Sequence, residues 1–159
     1  MRLVACLEKA DIAWCAIGGV AVNYWAKEPM VTRDVDLVVA SPSIEKTRQL
    51  LEKEGFAATV FPGSINFQGH SKVSIQLSTE DFYQEFPARA VPADVHGILL
   101  RVASLEDTLA GKILAWRDPE RRQSKRLKDL GDIVRLVEAH SRLWITLPDE
   151  LRKLVEMPE

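Results

Sequence analysis

Asp34 and Asp36 stand two residues apart in the segment TRDVDLVVA. Alternate side chains of a β-strand leave from one face. A strand here therefore presents two carboxylates together, while Val35, Leu37 and Val39 turn the other way into apolar packing. Adjacent anions repel, and a divalent cation relieves that repulsion. Mg²⁺ favours one or two carboxylates supplemented by water and substrate phosphate oxygens, so the pair reads as a metal site for phosphate chemistry. The alternative is a strand edge bearing two solvated aspartates.

Gly18-Gly19 follows the apolar run IAWCAI (12–17) and leads directly into VAVNYWAKE (20–28). A strand that ends in two glycines before a helix exposes backbone N–H groups with no side chains in the way, which suits a phosphate. On its own this could be a tight strand-to-helix turn. With the Asp pair it supplies both halves of a nucleoside triphosphate site: amides for phosphate oxygens and carboxylates for a metal.

The last third of the chain carries the cations. Leu105, Leu109, Ile113 and Trp116 mark one apolar helix face, and Lys112 falls at its flank, where a lysine is uncommon unless paired or snorkelling. In the following helix Leu127, Leu130, Ile133, Val134 and Val137 share a face, with Asp129 at its boundary and Asp132 on the solvent side. Asp129 could equally form a helix pair with Lys125. Residues 117–128 hold six cations (Arg117, Arg121, Arg122, Lys125, Arg126 and Lys128) against Asp118 and Glu120, a local excess of four. Such a cluster attracts a triphosphate or an RNA backbone, or is a solvated helix start. His70, His96 and His140 have no ligand spacing, and Trp14, Trp25, Trp116 and Trp144 are scattered as packing residues. Cys6 and Cys15 lie in apolar segments without CxxC spacing and read as buried thiols.

The elements that must position these groups follow from the same pattern. Helices are expected over 2–10, 20–28 (stopped by Pro29), 41–55 (Ser cap, Gly55 stop), 104–116 (opened by the cap box Ser104 to Asp107), 124–140 and 147–156. Strands are expected over 12–17, 35–40, 56–60, 65–68, 72–78 and 98–104. Residues 79–97, broken by Pro87, Pro92 and Gly97, read as a loop with one helical turn. The organisation is α+β, a small mixed sheet flanked by helices with a helical C-terminal part, divided as 1–103 and 104–159.

Length and charge bound the rest. One main core suits 159 residues, 47% hydrophobic and 28% charged. A net charge of −2 confines any nucleic-acid role to a local patch. No apolar run reaches a membrane span and the start lacks signal-peptide features, so a cytoplasmic protein with no membrane partner is expected.

GGVAVNYW followed by TRDVDLVV resembles the glycine-pair and D-x-D signature of the DNA polymerase β-like nucleotidyltransferase superfamily. AGKILAWRD (110–118) and KRLKDLGDI (125–133) are similar to the later motifs of its AbiEii-type toxin branch, so the resemblance runs from about residue 12 to 140. It implies a nucleotidyltransferase-type fold and transfer of a nucleoside monophosphate from an NTP to an acceptor hydroxyl, with Mg²⁺ or Mn²⁺. The acceptor would be RNA, with tRNA as one candidate, or a protein, and a cognate antitoxin is a further implied partner. It also implies a catalytic set of Asp34, Asp36, Asp129 and Lys112, with metal on Asp34 and Asp36. Nucleotide contacts would come from Gly18, Gly19, Thr32, Arg33, Lys112, Arg117 and Lys128. Gly19 stands where the family often has Ser, and Ser74 where a third strand carboxylate is common. A catalytically weakened nucleotide-binding or protein-interaction module of the same fold is therefore the second reading.

Overall fold

The computed structural model describes residues 2–159. Seven strands form one mixed sheet: β1 (Trp14–Ile17), β2 (Asp34–Val39), β3 (Ala57–Phe61), β4 (Ser64–Gln68), β5 (Ser74–Ser78), β6 (Val91–Val95) and β7 (Ile98–Val102). Their spatial order is β3-β4-β5-β2-β1-β7-β6. The helices are α1 (Arg2–Lys9), α2 (Gly18–Ala26), α3 (Ile44–Lys53), α4 (Phe86–Arg89), α5 (Leu105–Arg117), α6 (Gln123–Ala139) and α7 (Asp149–Arg152), with 3₁₀ turns over Ser41–Ser43, Asp81–Tyr83 and Ser141–Thr146. The α+β class with a mixed sheet agrees with the sequence pattern. The sheet is larger than expected because 79–97 contributes an additional strand.

That strand, β6, contains Pro92, which lacks an N–H for a ladder. It survives because β6 lies at the sheet edge, where one side needs no partner. It pairs only with β7, through a turn whose central residues His96 and Gly97 both have positive φ (52° and 79°), the conformation of a tight hairpin. Phe86–Arg89 supplies the helical turn expected in this stretch.

Two apolar layers fix the centre of the sheet. Leu37 and Val39 pack with Leu7, Leu51, Phe67 and Leu77 in a core shared with α1 and α3. On the opposite face Val38 packs with Cys15, Phe86 and Ala103. A third cluster joins Val22 of α2 to Leu105, Leu109, Ile133, Leu136 and Val137 of α5 and α6, and to Leu143, Leu147 and Leu151 beyond them. The cationic helices are thereby fastened to the helix that begins at Gly18.

Several local expectations need correction. Helix α3 starts through a 3₁₀ turn, and Ser43 makes no side-chain cap bond. The helix expected over 147–156 is regular only at Asp149–Arg152, although Leu151 and Val155 still reach the core. Cys15 is buried but Cys6 only half-buried. The buried stripe of α6 is Asp129, Asp132, Ile133, Leu136 and Val137, so Asp132 does not face solvent and Leu127, 60% exposed, does not face the core. Two neighbouring cations make burial of Asp132 tolerable. Ser104 caps α5 as the cap box requires, accepting a bond from the Asp107 N–H at 3.1 Å. No helix of the described residues is long and apolar enough to cross a membrane.

Candidate active site

Strand pairing brings the first two motifs together. β1 runs antiparallel to β2 with Ile17 opposite Asp36, so the residue that follows β1, Gly18, arrives beside the Asp36 side chain. Gly18 has φ +62°, a left-handed conformation costly for other residues, and a Cβ there would overlap the Asp36 carboxylate. A Cβ on Gly19 would lie 3.2 Å from Thr32 Oγ1. The glycine pair is thus flanked by Asp36 on one side and by Thr32 on the other. Thr32 itself donates to the Asp34 carbonyl at 3.1 Å, fixing the entrance to β2.

β5 lies parallel to β2, with Ser74 opposite Asp34 and Gln76 opposite Asp36. Directly opposed residues share a sheet face, so the neighbouring strand offers a hydroxyl and an amide beside the two carboxylates, and no acid. Among the described residues no group of three or more His, Cys, Asp or Glu side chains could hold a metal.

A cleft of about 690 Å³ opens over this face. Gly18, Gly19, Thr32, Asp34 and Asp36 line its base, Ser64, Gln76, Ser78, Glu80 and Tyr83 one wall, and Lys112, Arg117, Arg121, Lys125, Lys128 and Asp129 the other. Arg33 is exposed and does not line the cleft. Neither Asp34 nor Asp36 has an ion-pair partner among the described residues. Burial pushes the Asp36 carboxyl above its ordinary value; the field of Lys112 opposes this and the Asp34 charge adds to it. A partly desolvated, unpaired carboxylate beside a second one is a donor set that fits a hard divalent cation. Across the cleft, burial and the Glu80 charge push the Tyr83 phenol up to about 12, so it remains a neutral hydroxyl.

The cationic wall is built on a buried charge network. Lys112, almost fully buried, places Nζ 3.2 Å from Asp129 Oδ1 and 2.9 Å from Asp132 Oδ2. Arg121 Nε donates to Asp129 Oδ2 at 2.6 Å, and its second nitrogen reaches Oδ1 at 3.3 Å. Arg117 is committed to Glu150 at 2.6 Å, and Arg126 donates to the Trp116 carbonyl at 2.9 Å. Of the six cations in 117–128, Arg122, Lys125, Arg126 and Lys128 have no ion-pair partner among the described residues, and of these four Arg126 is the one bonded to a backbone carbonyl. Lys112 and Asp129 stand out in the sequence, whereas the part of Asp132 does not; its signal is the Asp129, Asp132, Ile133, Leu136, Val137 spacing, which follows a single helix stripe.

A two-glycine strand-to-helix turn, a D-x-D strand beside it and a cationic helical wall define a protein of the nucleotidyltransferase class. The family model for the nucleotidyl transferase AbiEii toxin, a type IV TA system, matches residues 11–156, and the chain belongs to that family. No curated protein matches the sequence. Among solved structures, the lincomycin-bound lincosamide adenylyltransferase LnuA is 14% identical with a TM-score of 0.59, covering 85% of this chain and 94% of its own. The antibiotic-resistance factor ANT(2'')-Ia is 12% identical with a TM-score of 0.63, covering 96% and 84%. An antigenic nucleotidyltransferase-like protein from Paracoccidioides brasiliensis is 23% identical with a TM-score of 0.56, covering 85% and 72%. At these identities the likeness is one of fold.

Proposed function

We propose that the protein moves a nucleoside monophosphate from an NTP to an acceptor hydroxyl on RNA or on a protein, as the toxin member of a toxin–antitoxin pair acting in the cytoplasm. The observation that carries this is the unpaired Asp34–Asp36 set, packed against Gly18 in a cleft whose opposite wall is cationic. Mg²⁺, or Mn²⁺, held by Asp34 and Asp36 supplies neutralisation of the phosphate oxygens and of the leaving pyrophosphate.

The chain's own residues supply the rest. Amides at Gly18 and Gly19 take phosphate oxygens, with Thr32 bracing the loop. Lys112, Arg121 and Lys128 hold the triphosphate from the other side, and Arg117 borders the same wall. The acceptor oxygen bonds to the α-phosphorus as the bond to pyrophosphate breaks, a displacement governed by positioning and charge rather than by covalent catalysis. Asp129 serves as the supporting carboxylate. Because both its oxygens are engaged by Lys112 and Arg121, its part is to orient these cations, and the acceptor's proton leaves to solvent water in the open cleft.

Ser74 and Gln76 favour one other reading, a module that binds nucleotide without turnover, since no acid stands beside the Asp pair on β5. The deciding experiment incubates the protein with each labelled NTP, Mg²⁺ and whole-cell RNA and protein. Label in a macromolecular fraction with release of pyrophosphate supports transfer. Nucleotide binding without label or pyrophosphate supports the module.

A further inference from the structure

Behind the cationic wall an unbroken polar chain runs from Lys112 to the other side of the cleft. Lys112 Nζ meets Asp132 Oδ2 at 2.9 Å, and Arg135 donates to Asp132 Oδ1 at 3.1 Å. The same guanidinium donates to Asn23 Oδ1 at 3.0 Å and to the Glu28 carbonyl. Asn23 in turn donates to the Met30 carbonyl at 2.7 Å and accepts from the Met30 N–H at 3.2 Å. Two residues on, Thr32 rests against Gly19, and Asp34 then opens β2. Residues 27–33 have no regular structure of their own, and these bonds are what tie the segment to α2 and α6.

From this geometry we infer that Asp132, Arg135 and Asn23 are positioning residues, a strut that sets the separation between the glycine loop and Lys112. The inference rests on the proposed triphosphate site. A triphosphate that touches the Gly18–Gly19 amides and Lys112 together spans both walls, so its affinity depends on their spacing. Pyrophosphate without metal has no anchor on the Asp34–Asp36 side, rests on the cationic wall alone and does not depend on that spacing. A packing role for Arg135 would predict no such distinction. Its guanidinium is nearly buried, with Nε unpartnered and one terminal nitrogen on Asp132; the other terminal nitrogen goes to a loop carbonyl and an asparagine instead of to a second carboxylate, which is how a connector differs from a simple charge partner.

The test compares wild type with Arg135→Gln, Arg135→Lys and Asn23→Ser. Binding of the four α,β-methylene NTPs with Mg²⁺, and of pyrophosphate in the absence of metal, is measured by calorimetry, and exchange of the Met30 amide by mass spectrometry. Arg135→Gln is expected to lower affinity for the tightest analogue by about tenfold, to leave pyrophosphate within about twofold, and to speed exchange at Met30, with partial recovery in Arg135→Lys. Asn23→Ser breaks the strut on the loop side without altering the buried charges and decides the matter if Arg135→Gln does not fold. Unchanged Met30 exchange, or equal losses for NTP and pyrophosphate in a folded variant, overturns the strut. If wild type binds no NTP analogue, the nucleotide reading fails while the exchange measurement still decides whether the strut holds the loop.

Discussion

A Cβ placed on Gly18 would overlap Oδ2 of Asp36, so the glycine turn and the carboxylate strand touch at a position that also has φ +62°. Gly18→Ala therefore meets two obstacles, a left-handed backbone and a displaced carboxylate. It is expected to lose about 1–2 kcal/mol of stability and most Mg²⁺-dependent nucleotide affinity. Thermal melts and calorimetry with an α,β-methylene NTP measure the two losses separately. Gly19→Ala, at a position outside the left-handed region and with its added carbon 3.2 Å from the Thr32 hydroxyl, should cost less in both.

The raised pKa of Asp36 has a signed consequence for stability. Burial is its first cause, so the native state holds this proton more tightly than the unfolded chain does. Where the native state binds more protons, stability falls as pH rises, here through the interval above the ordinary carboxylate value. Asp36→Asn removes that slope. Metal-free Asp36→Asn is expected to melt above metal-free wild type at pH 7, the gap shrinking toward pH 4, while losing Mg²⁺-dependent nucleotide binding. A melting curve that shifts equally at both pH values would show that the buried Asp36 charge does not limit stability.

Lys112 sits between Asp129 and Asp132, each of which keeps one arginine of its own. Lys112→Met removes the shared cation and leaves two buried carboxylates less compensated, at a cost on the order of 3 kcal/mol. Asp132→Asn should be damaging as well, whereas Glu138→Gln, exposed on the same helix, should be silent. Urea unfolding midpoints at constant slope distinguish these outcomes.

The contrast between Asp132 and Asp34–Asp36 explains what the sequence could and could not reveal. The Asp pair and Gly18-Gly19 were legible because each signal is local: alternation on one strand, and glycines at one turn. Asp132 is not legible because Leu127 and Val134 draw the apolar face of its helix toward Leu130, whereas the buried stripe runs through both aspartates. Hydrophobic periodicity places a carboxylate outside, and only the partners Lys112 and Arg135, twenty residues before and three after, reverse that. Strand β6 was hidden for a related reason. Pro92 argues against a strand, and the edge position that excuses it is a property of the whole sheet. Likewise Ser74 and Gln76 could be flagged in the sequence, but their register opposite Asp34 and Asp36 is a tertiary fact.

The charges of 117–128 divide by function once their partners are known. Arg117 and Arg121 are paired with Glu150 and Asp129, while Arg122, Lys125 and Lys128 are exposed and without ion-pair partners among the described residues. If RNA is the acceptor, its phosphates should meet Arg122 and Lys125, since Lys128 faces the nucleotide cleft and serves the triphosphate. Each phosphate neutralised releases counterions, so the logarithm of affinity falls linearly with the logarithm of salt, by about 0.7–0.9 per contact. The double charge reversal Arg122→Glu with Lys125→Glu should weaken retention of whole-cell RNA at low salt and flatten the slope by roughly two contacts. Arg117→Gln, which frees Glu150 but removes no available cation, should leave the slope unchanged. Filter retention across a salt series measures both. Equal slopes for wild type and the double variant would assign these cations to the solvated surface and leave protein as the better acceptor.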